Sequence, residues 1–327
     1  MPYKIKDKIR DKFKKKTYNN RDWKAYSESL RNRGSLTIWF SEDAISAWYY
    51  KHEKQRKRGR QKVYSDLAIE TAYTLRLVYK QPLRQTQGFM QSIVQLLELD
   101  LSIPDYTTVS RLSKTISLKK EPLPSHGSKV VIIDSTGLKV VGEKEWMSHK
   151  HGTRQRKTWR KLHLCINEEG EILSSSLTHP LSHDAKQVDI LLSDIETPIE
   201  EFIGDGAYDY TVAYDSINKH QQKYNSEKSI KVIVPPNTWF RELKETDPGQ
   251  RLENVRFIEY KGRIAWQNKT DYGRRAKAEN TMHRYKTIIG NKLKAQTIES
   301  QITETKIAVQ ILNRMFKIGM PKYITTS

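Results

Sequence analysis

From Tyr64 onward, apolar residues recur at helical spacing. Leu67, Thr71, Leu75 and Val78 form one stripe; Phe89, Ile93 and Leu97, with Met90 and Leu96 beside them, form a second. Pro82 and the stretch from Leu99 to Pro104 punctuate the two. Asp105 is a fitting N-cap for a third helix, whose polar side carries Thr107, Thr108, Ser110, Arg111 and Lys114. Three short helices joined by tight turns predict a helix-turn-helix-like bundle, with Thr108, Arg111 and Lys114 on a recognition face. A bundle that only packs against a neighbouring domain has the same pattern.

Upstream, residues 1–24 are rich in Lys and poor in apolar side chains, which predicts a basic N-terminal arm able to contact phosphates or a solvated tail. Residues 33–49 bring in Trp39, Phe40, Trp48 and Tyr49, an aromatic segment expected to pack. A second basic run over 51–62 reads as a linker or a DNA-tracking loop. Two prolines and a glycine in 119–128 mark a boundary between a helical domain at 25–120 and the remainder of the chain.

Beyond that boundary strands alternate with helices. Residues 128–134 are a β-branched run, a buried strand whose last residue, Asp134, is expected at a sheet edge. Residues 160–166 and 172–177 predict a hairpin around Asn167-Glu-Glu-Gly170. A helix over 185–196, a short strand ending at Asp205, a helix near 208–219 and a strand at 230–234 continue the series. Phe257-Ile-Glu-Tyr260 and Arg263-Ile-Ala-Trp266, flanking Lys261-Gly262, predict a second hairpin and hence a small β insertion at 237–272. A helix at 303–316 with Ile307, Ile311 and Met315 closes the core.

Composition narrows the class of partner. In 327 residues, 58 Lys and Arg stand against 38 acids, a net charge of +20, which points to a polyanion. A ribosomal or membrane-surface protein could share that balance, but neither needs a buried strand ending in Asp followed by two more matched acids. The single cysteine, Cys165, excludes an internal disulfide, agrees with a reducing cytoplasm and reads as a core residue. No apolar stretch approaches a membrane span, and the N-terminus lacks the apolar region of a signal peptide.

The candidate chemistry lies in three acids. Asp134 and Asp205 each end an apolar run, and Glu279 lies on a helix with Arg275 and His283 at four-residue steps and Lys286 three residues further on. One carboxylate among cations, in a segment with few apolar residues, suits a metal that meets a phosphate backbone; an ion-paired solvated helix has the same spacing. Three carboxylates are the oxygen ligands that Mg²⁺ or Mn²⁺ prefers.

Together these residues resemble the DDE transposases of bacterial insertion sequences. Tyr272-x2-Arg275-x3-Glu279-x6-Lys286 matches the Tyr-Arg-Glu-Lys signature of the insertion-sequence four and five families at every position. Asp134-Ser-Thr-Gly and Gly-Asp205-Gly-Ala-Tyr-Asp209 resemble the other two catalytic blocks. So do residues 146–164, with Lys-His-Gly and Thr-Trp-Arg-Lys-Leu-His, and residues 33–40. The resemblance spans roughly residues 20–317 and is closest to the insertion-sequence five family, with no departure at a catalytic position.

It implies an α/β, ribonuclease-H-like catalytic domain at 128–320, in which the first strand is central, the fourth lies beside it and a later helix crosses their ends. It implies Asp134, Asp205 and Glu279 as catalytic residues binding Mg²⁺ (or Mn²⁺), water-driven cleavage at the element's ends, and attack of the 3′ hydroxyls on target DNA. Tyr272, Arg275 and Lys286 would contact DNA. Independently of the resemblance, Lys161 and His163 alternate on a strand with Leu162 and Leu164, which predicts that Lys161 faces the site and the DNA, while the histidine reads better as structural. The expected partner is double-stranded DNA, bound by a homodimer or larger assembly in a bacterial cytoplasm, on the nucleoid. Two rivals remain: an Mg²⁺-dependent nuclease of the same fold, and a non-catalytic DNA-binding regulator derived from a transposase.

Overall fold

The computed structural model describes residues 17–20, 22–51, 61–118, 129–141, 159–224, 228–237, 247–320 and 323–326. The basic arm up to residue 16, most of the basic run at 51–62, the boundary at 119–128 and the motif residues 146–158 lie outside the described residues. Two compact units divide the chain: residues 39–313, and residues 1–38 with 314–327.

Strand β1 (Thr17–Asn20) precedes helix α1 (Trp23–Asn32), whose N-cap Asp22 accepts the Ala25 N–H. Next come short helices α2 (Leu36–Trp39) and α3 (Glu42–Ser46), and the aromatic segment packs as expected, with Trp39, Phe40 and Trp48 buried. Helix α4 (Asp66–Val78) is capped by Ser65 and buried almost all round, well beyond one stripe. Helix α5 (Leu83–Leu96) buries Thr86, Met90, Ile93 and Val94, while Leu96 and Leu97 are exposed. The expected stripe through Leu97 is therefore displaced, because the helix ends there and its C-cap carries the last side chains outward.

Helix α6 (Tyr106–Leu112) starts at Asp105, whose side chain accepts the Thr107 N–H at 2.8 Å. It ends earlier than predicted, so Lys114 lies past its C-cap, Ser113. Helices α4, α5 and α6 pack on one another. The Tyr73 hydroxyl donates to Ser113 Oγ at 3.1 Å, and Thr303 Oγ1 donates to the Ser113 carbonyl at 2.7 Å.

The sheet strands are β2 (Val130–Val140), β3 (Trp159–Ile166), β4 (Ile172–Thr178), β5 (Glu201–Ile203), β6 (Lys231–Ile233) and β7 (Lys292–Leu293). Their order is β4-β3-β2-β5-β6, with β7 also on β2. β2 is antiparallel to β3 and parallel to β5, so the first strand of the sheet is central and the fourth lies beside it, as expected. β2 does not stop at Asp134. It runs six residues further, since Ser135-Thr136-Gly137 pairs with β3 instead of turning, and a Cβ at Gly137 would lie 3.1 Å from the Trp159 ring.

Helices α7 (Val188–Ser193) and α8 (Thr211–Lys223) cover one face, burying Val188, Leu191, Ala213 and Ile217 against Val131, Ile133, Cys165, Phe202 and Val232. Cys165 is a fully buried core residue, its thiol pKa pushed up by burial.

The predicted β insertion is helical. α9 (Gly249–Lys261) and α10 (Arg263–Thr270) replace the hairpin. Aromatic and β-branched density imitated strands, but Gly262, at φ +84°, ends α9 and starts α10 in a backbone region only glycine enters freely. Trp266 is buried and its Nε1–H donates to Asn254 Oδ1 at 2.8 Å, which locks one helix to the other. Helix α11 (Ala276–Ile288) and α12 (Ile298–Ile318) as far as Asn313 complete the larger unit; α11 packs on β2 and β3. In the smaller unit the last strand, β8 (Tyr323–Thr326), pairs antiparallel with β1. Among the described residues no helix is long and apolar enough to cross a membrane.

Candidate active site

The two aspartates meet through strand register. β2 and β5 run parallel with Ile132 opposite Ile203, and two residues beyond each come Asp134 and Asp205. Side chains alternate along a strand, so Asp134 shares the face of Ile132, the face covered by α11. Asp205 caps the 3-10 turn Gly206–Tyr208, accepting the Ala207 N–H at 2.9 Å.

The third acid comes from the helix. Asp271, in the left-handed region at φ 52°, separates α10 from the 3-10 turn Tyr272–Arg275 that leads into α11. This delivers Arg275 to the carboxylates. Its Nη1 donates to Asp134 Oδ2 at 2.9 Å and its Nη2 to Glu279 Oε1, so one guanidinium joins strand and helix. Tyr272 lies beneath, its ring 5.9 Å from the guanidinium and 5.3 Å from the Trp266 ring. Burial raises the Tyr272 hydroxyl to about 12, so it is neutral at pH 7.

Burial also dominates the acids. Asp134 is 8% exposed, and desolvation pushes its carboxyl up to about 6 against the pull of the Ser135 N–H; the charges of Asp205 and Glu279 add to the rise, and Arg275 opposes it. Asp205 is raised for the same first reason, with the Ala207 N–H and Arg275 lowering it. Glu279 is exposed and, among the described residues, is held from Arg275.

Asp209, four residues past Asp205, points elsewhere. Buried, it accepts Arg251 Nε at 2.9 Å and 3.1 Å, and the Asn237 N–H at 2.8 Å. Lys286 is half-buried in the last turn of α11, two helical turns beyond Glu279, with no ion pair among the described residues. Lys161 lies on the opposite sheet face from Asp134, paired with Asp184 at 2.8 Å. Asp184 was missed by the sequence reading: His183-Asp184 before an apolar run has the look of a helix cap. Thr108, Arg111 and Lys114 belong to α6 and the residues just after it, Arg111 and Lys114 exposed and Thr108 half-buried, in a different element from the acids.

Comparison with known proteins gives this arrangement a family. One solved structure similar to the chain, the Mos1 transposase paired-end complex with left transposon end, is 12% identical over 83% of this chain and 82% of its own, at a TM-score of 0.22. Two family profiles, each described as a transposase DDE domain, match residues 31–143 and 125–313, the second spanning more than half of the chain. The chain belongs to the DDE transposase family.

DDE transposase domains typically use divalent metal ions. Among the described residues of this transposase, no three of His, Cys, Asp and Glu are grouped as a metal site. Arg275 holds two of the three acids instead. The donor chemistry nonetheless fits a hard cation, since each of the three groups is a carboxylate.

Proposed function

We propose that this transposase binds the terminal inverted repeats of its own insertion sequence, hydrolyses a DNA strand at each end and joins the 3′ hydroxyls to target DNA by metal-dependent transesterification. We assign it to the insertion-sequence five family of a bacterium, acting as a homodimer or larger assembly on nucleoid DNA in the cytoplasm. The observation that carries the reading is the parallel register of β2 and β5, which sets Asp134 beside Asp205 under the turn bearing Arg275.

In this reading residues 1–24 are a phosphate-contacting arm and 25–120 bind DNA. Residues 128–320 are a ribonuclease-H-like catalytic domain, with α9 and α10 in the place of the expected hairpin. Asp134, Asp205 and Glu279 would hold Mg²⁺ or Mn²⁺. Bound there, the ion would polarise the phosphodiester and lower the pKa of an attacking water. Tyr272 presents a neutral hydroxyl beside Arg275, suited to donate to a phosphate oxygen. Arg275 would exchange carboxylate for phosphate as DNA enters, and a guanidinium grips either in the same two-pronged way. Lys286 would meet the backbone further along α11. Thr108, Arg111 and Lys114 would read or contact the element's ends.

Asp205→Asn tests the reading. It keeps the shape of the side chain and removes the charge, so cleavage of a labelled terminal repeat should vanish while binding to that repeat stays within about threefold. Retained cleavage would remove Asp205 from the site.

A further inference from the structure

On the sheet face opposite Asp134, three polar side chains converge on Asp184. Ser135 pairs with His163 and Gly137 with Lys161 across β2 and β3, so Ser135, His163 and Lys161 share the face that also carries Val131 and Ile133. Asp184 opens the 3-10 turn Asp184–Gln187 before α7, and its side chain is 12% exposed. Lys161 Nζ donates to Asp184 Oδ1 at 2.8 Å and to the Ser182 carbonyl at 3.2 Å. Ser135 Oγ donates to Asp184 Oδ2 at 3.2 Å. His163, fully buried, approaches Oδ1 at 3.7 Å without a hydrogen bond and pairs its Nε2 with Thr178 Oγ1 at 2.8 Å. Burial pushes the His163 imidazole down to about 4, so at pH 7 it is neutral, and among the described residues Lys161 is the cation paired with Asp184.

A structural role would end with that balance. Two observations extend it to the acid site. Ser135, held from behind by Asp184, donates its backbone N–H to Asp134 Oδ1 at 2.8 Å, so the restraint passes through one residue to the carboxylate on the other face. The turn that Asp184 opens also packs against the turn Gly206–Tyr208 that Asp205 caps, which puts the Asp184–Lys161 pair behind the second aspartate as well.

We infer that Asp184 is a positioning residue for the acid site: by holding the Ser135 hydroxyl and the Lys161 ammonium, it fixes the orientation of Asp134 and the charge beside Asp205. This rests on the reading that Asp134 and Asp205 bind a divalent cation. Partners of this kind, one step behind the ligands, commonly change metal affinity by about 10–100-fold when lost.

The test is Mn²⁺ titration of the full chain by calorimetry at pH 7.5 without DNA, with melting temperature measured alongside. Asp134→Asn and Asp205→Asn set the baseline: if both bind Mn²⁺ like the parent, the metal reading itself fails and the inference falls with it. With that baseline lost as expected, Asp184→Asn should weaken Mn²⁺ binding roughly 10–100-fold. Ser135→Ala, which removes only the hydroxyl link, should weaken it in the same direction by a smaller factor. The double variant Lys161→Met/Asp184→Asn removes both half-buried charges, so its melting temperature should return toward the parent while its Mn²⁺ affinity stays low. Unchanged affinity in Asp184→Asn, or affinity that recovers in step with melting temperature in the double variant, overturns the inference. Where Asp184→Asn does not fold, unchanged affinity in Ser135→Ala does so.

Discussion

Removal of Arg251 should cost the fold several kcal/mol, about 3–5 by its buried pairing. Its Nε reaches Asp209 at 2.9 Å and its Nη1 reaches Asp247 at 3.0 Å, with side-chain exposures of 5% for Arg251, 0% for Asp209 and 2% for Asp247. Asp209 also accepts the Asn237 N–H at 2.8 Å and the Tyr214 hydroxyl at 3.4 Å, so the excess negative charge of the trio is partly met by dipoles. Arg251→Met keeps the stem and removes the guanidinium that Asp209 and Asp247 share. Breaking a buried pair from one side typically costs about 3–5 kcal/mol. At about 2–4 °C per kcal/mol for domains of 150–250 residues, melting should fall by about 6 °C or more. Chemical denaturation at pH 7.5 with an unchanged m-value would assign the loss to the folded state. Adding Asp209→Asn and Asp247→Asn should recover much of it, because the stranded charges go too. An Arg251→Met protein melting within 2 °C of the parent would refute the reasoning and mean that water reaches the trio.

Three further outcomes are expected. Lys286→Ala should leave stability within about 0.5 kcal/mol, as for a side chain that makes no ion pair among the described residues, yet reduce end cleavage or joining; a variant normal in melting, cleavage and joining would remove its assigned role. Arg111→Ala should weaken binding to cognate ends by about 1–3 kcal/mol more than to scrambled ends in competition assays, and an equal loss on both would exclude α6 as the reader. In metal-free buffer the folded chain should gain stability, relative to an Asp134→Asn variant, as pH falls from 7 toward 5. Asp134 titrates near 6 when folded against an ordinary 3.8, so between those values the fold binds the extra proton and charging it is what costs stability above pH 6. Parallel melting profiles for the two proteins would remove Asp134 as the cause.

The parts of the site that were legible in the sequence are those set by local pattern. The β-branched run before Asp134, the short run before Asp205 and the four-residue step from Arg275 to Glu279 each declare themselves within a few residues, and the structure brings these elements together. Elsewhere local pattern misled. Ser135-Thr136-Gly137 has turn composition but stays in the strand because β3 supplies partners as far as Lys139. Phe257, Ile258 and Tyr260 have strand composition but belong to a helix, where tertiary burial of Trp266 outweighs intrinsic preference. Asp184 was out of reach for a different reason: its meaning depends on Lys161 and Ser135, which adjoin it only across the folded sheet.

The bridge from Arg275 to Asp134 and Glu279 has a consequence in time. Asp134 is 145 residues ahead of Glu279 (279 − 134), and neither Arg275 nor Glu279 exists while the sheet's first strands are being made. At about 5–20 residues per second, synthesis leaves Asp134 waiting about 7–30 s for its partners. A growing or truncated chain that ends before α11 therefore carries the basic segments of the N-terminal half but not the assembled acids. Under the proposed function, attraction to DNA during translation would precede any capacity to cut it.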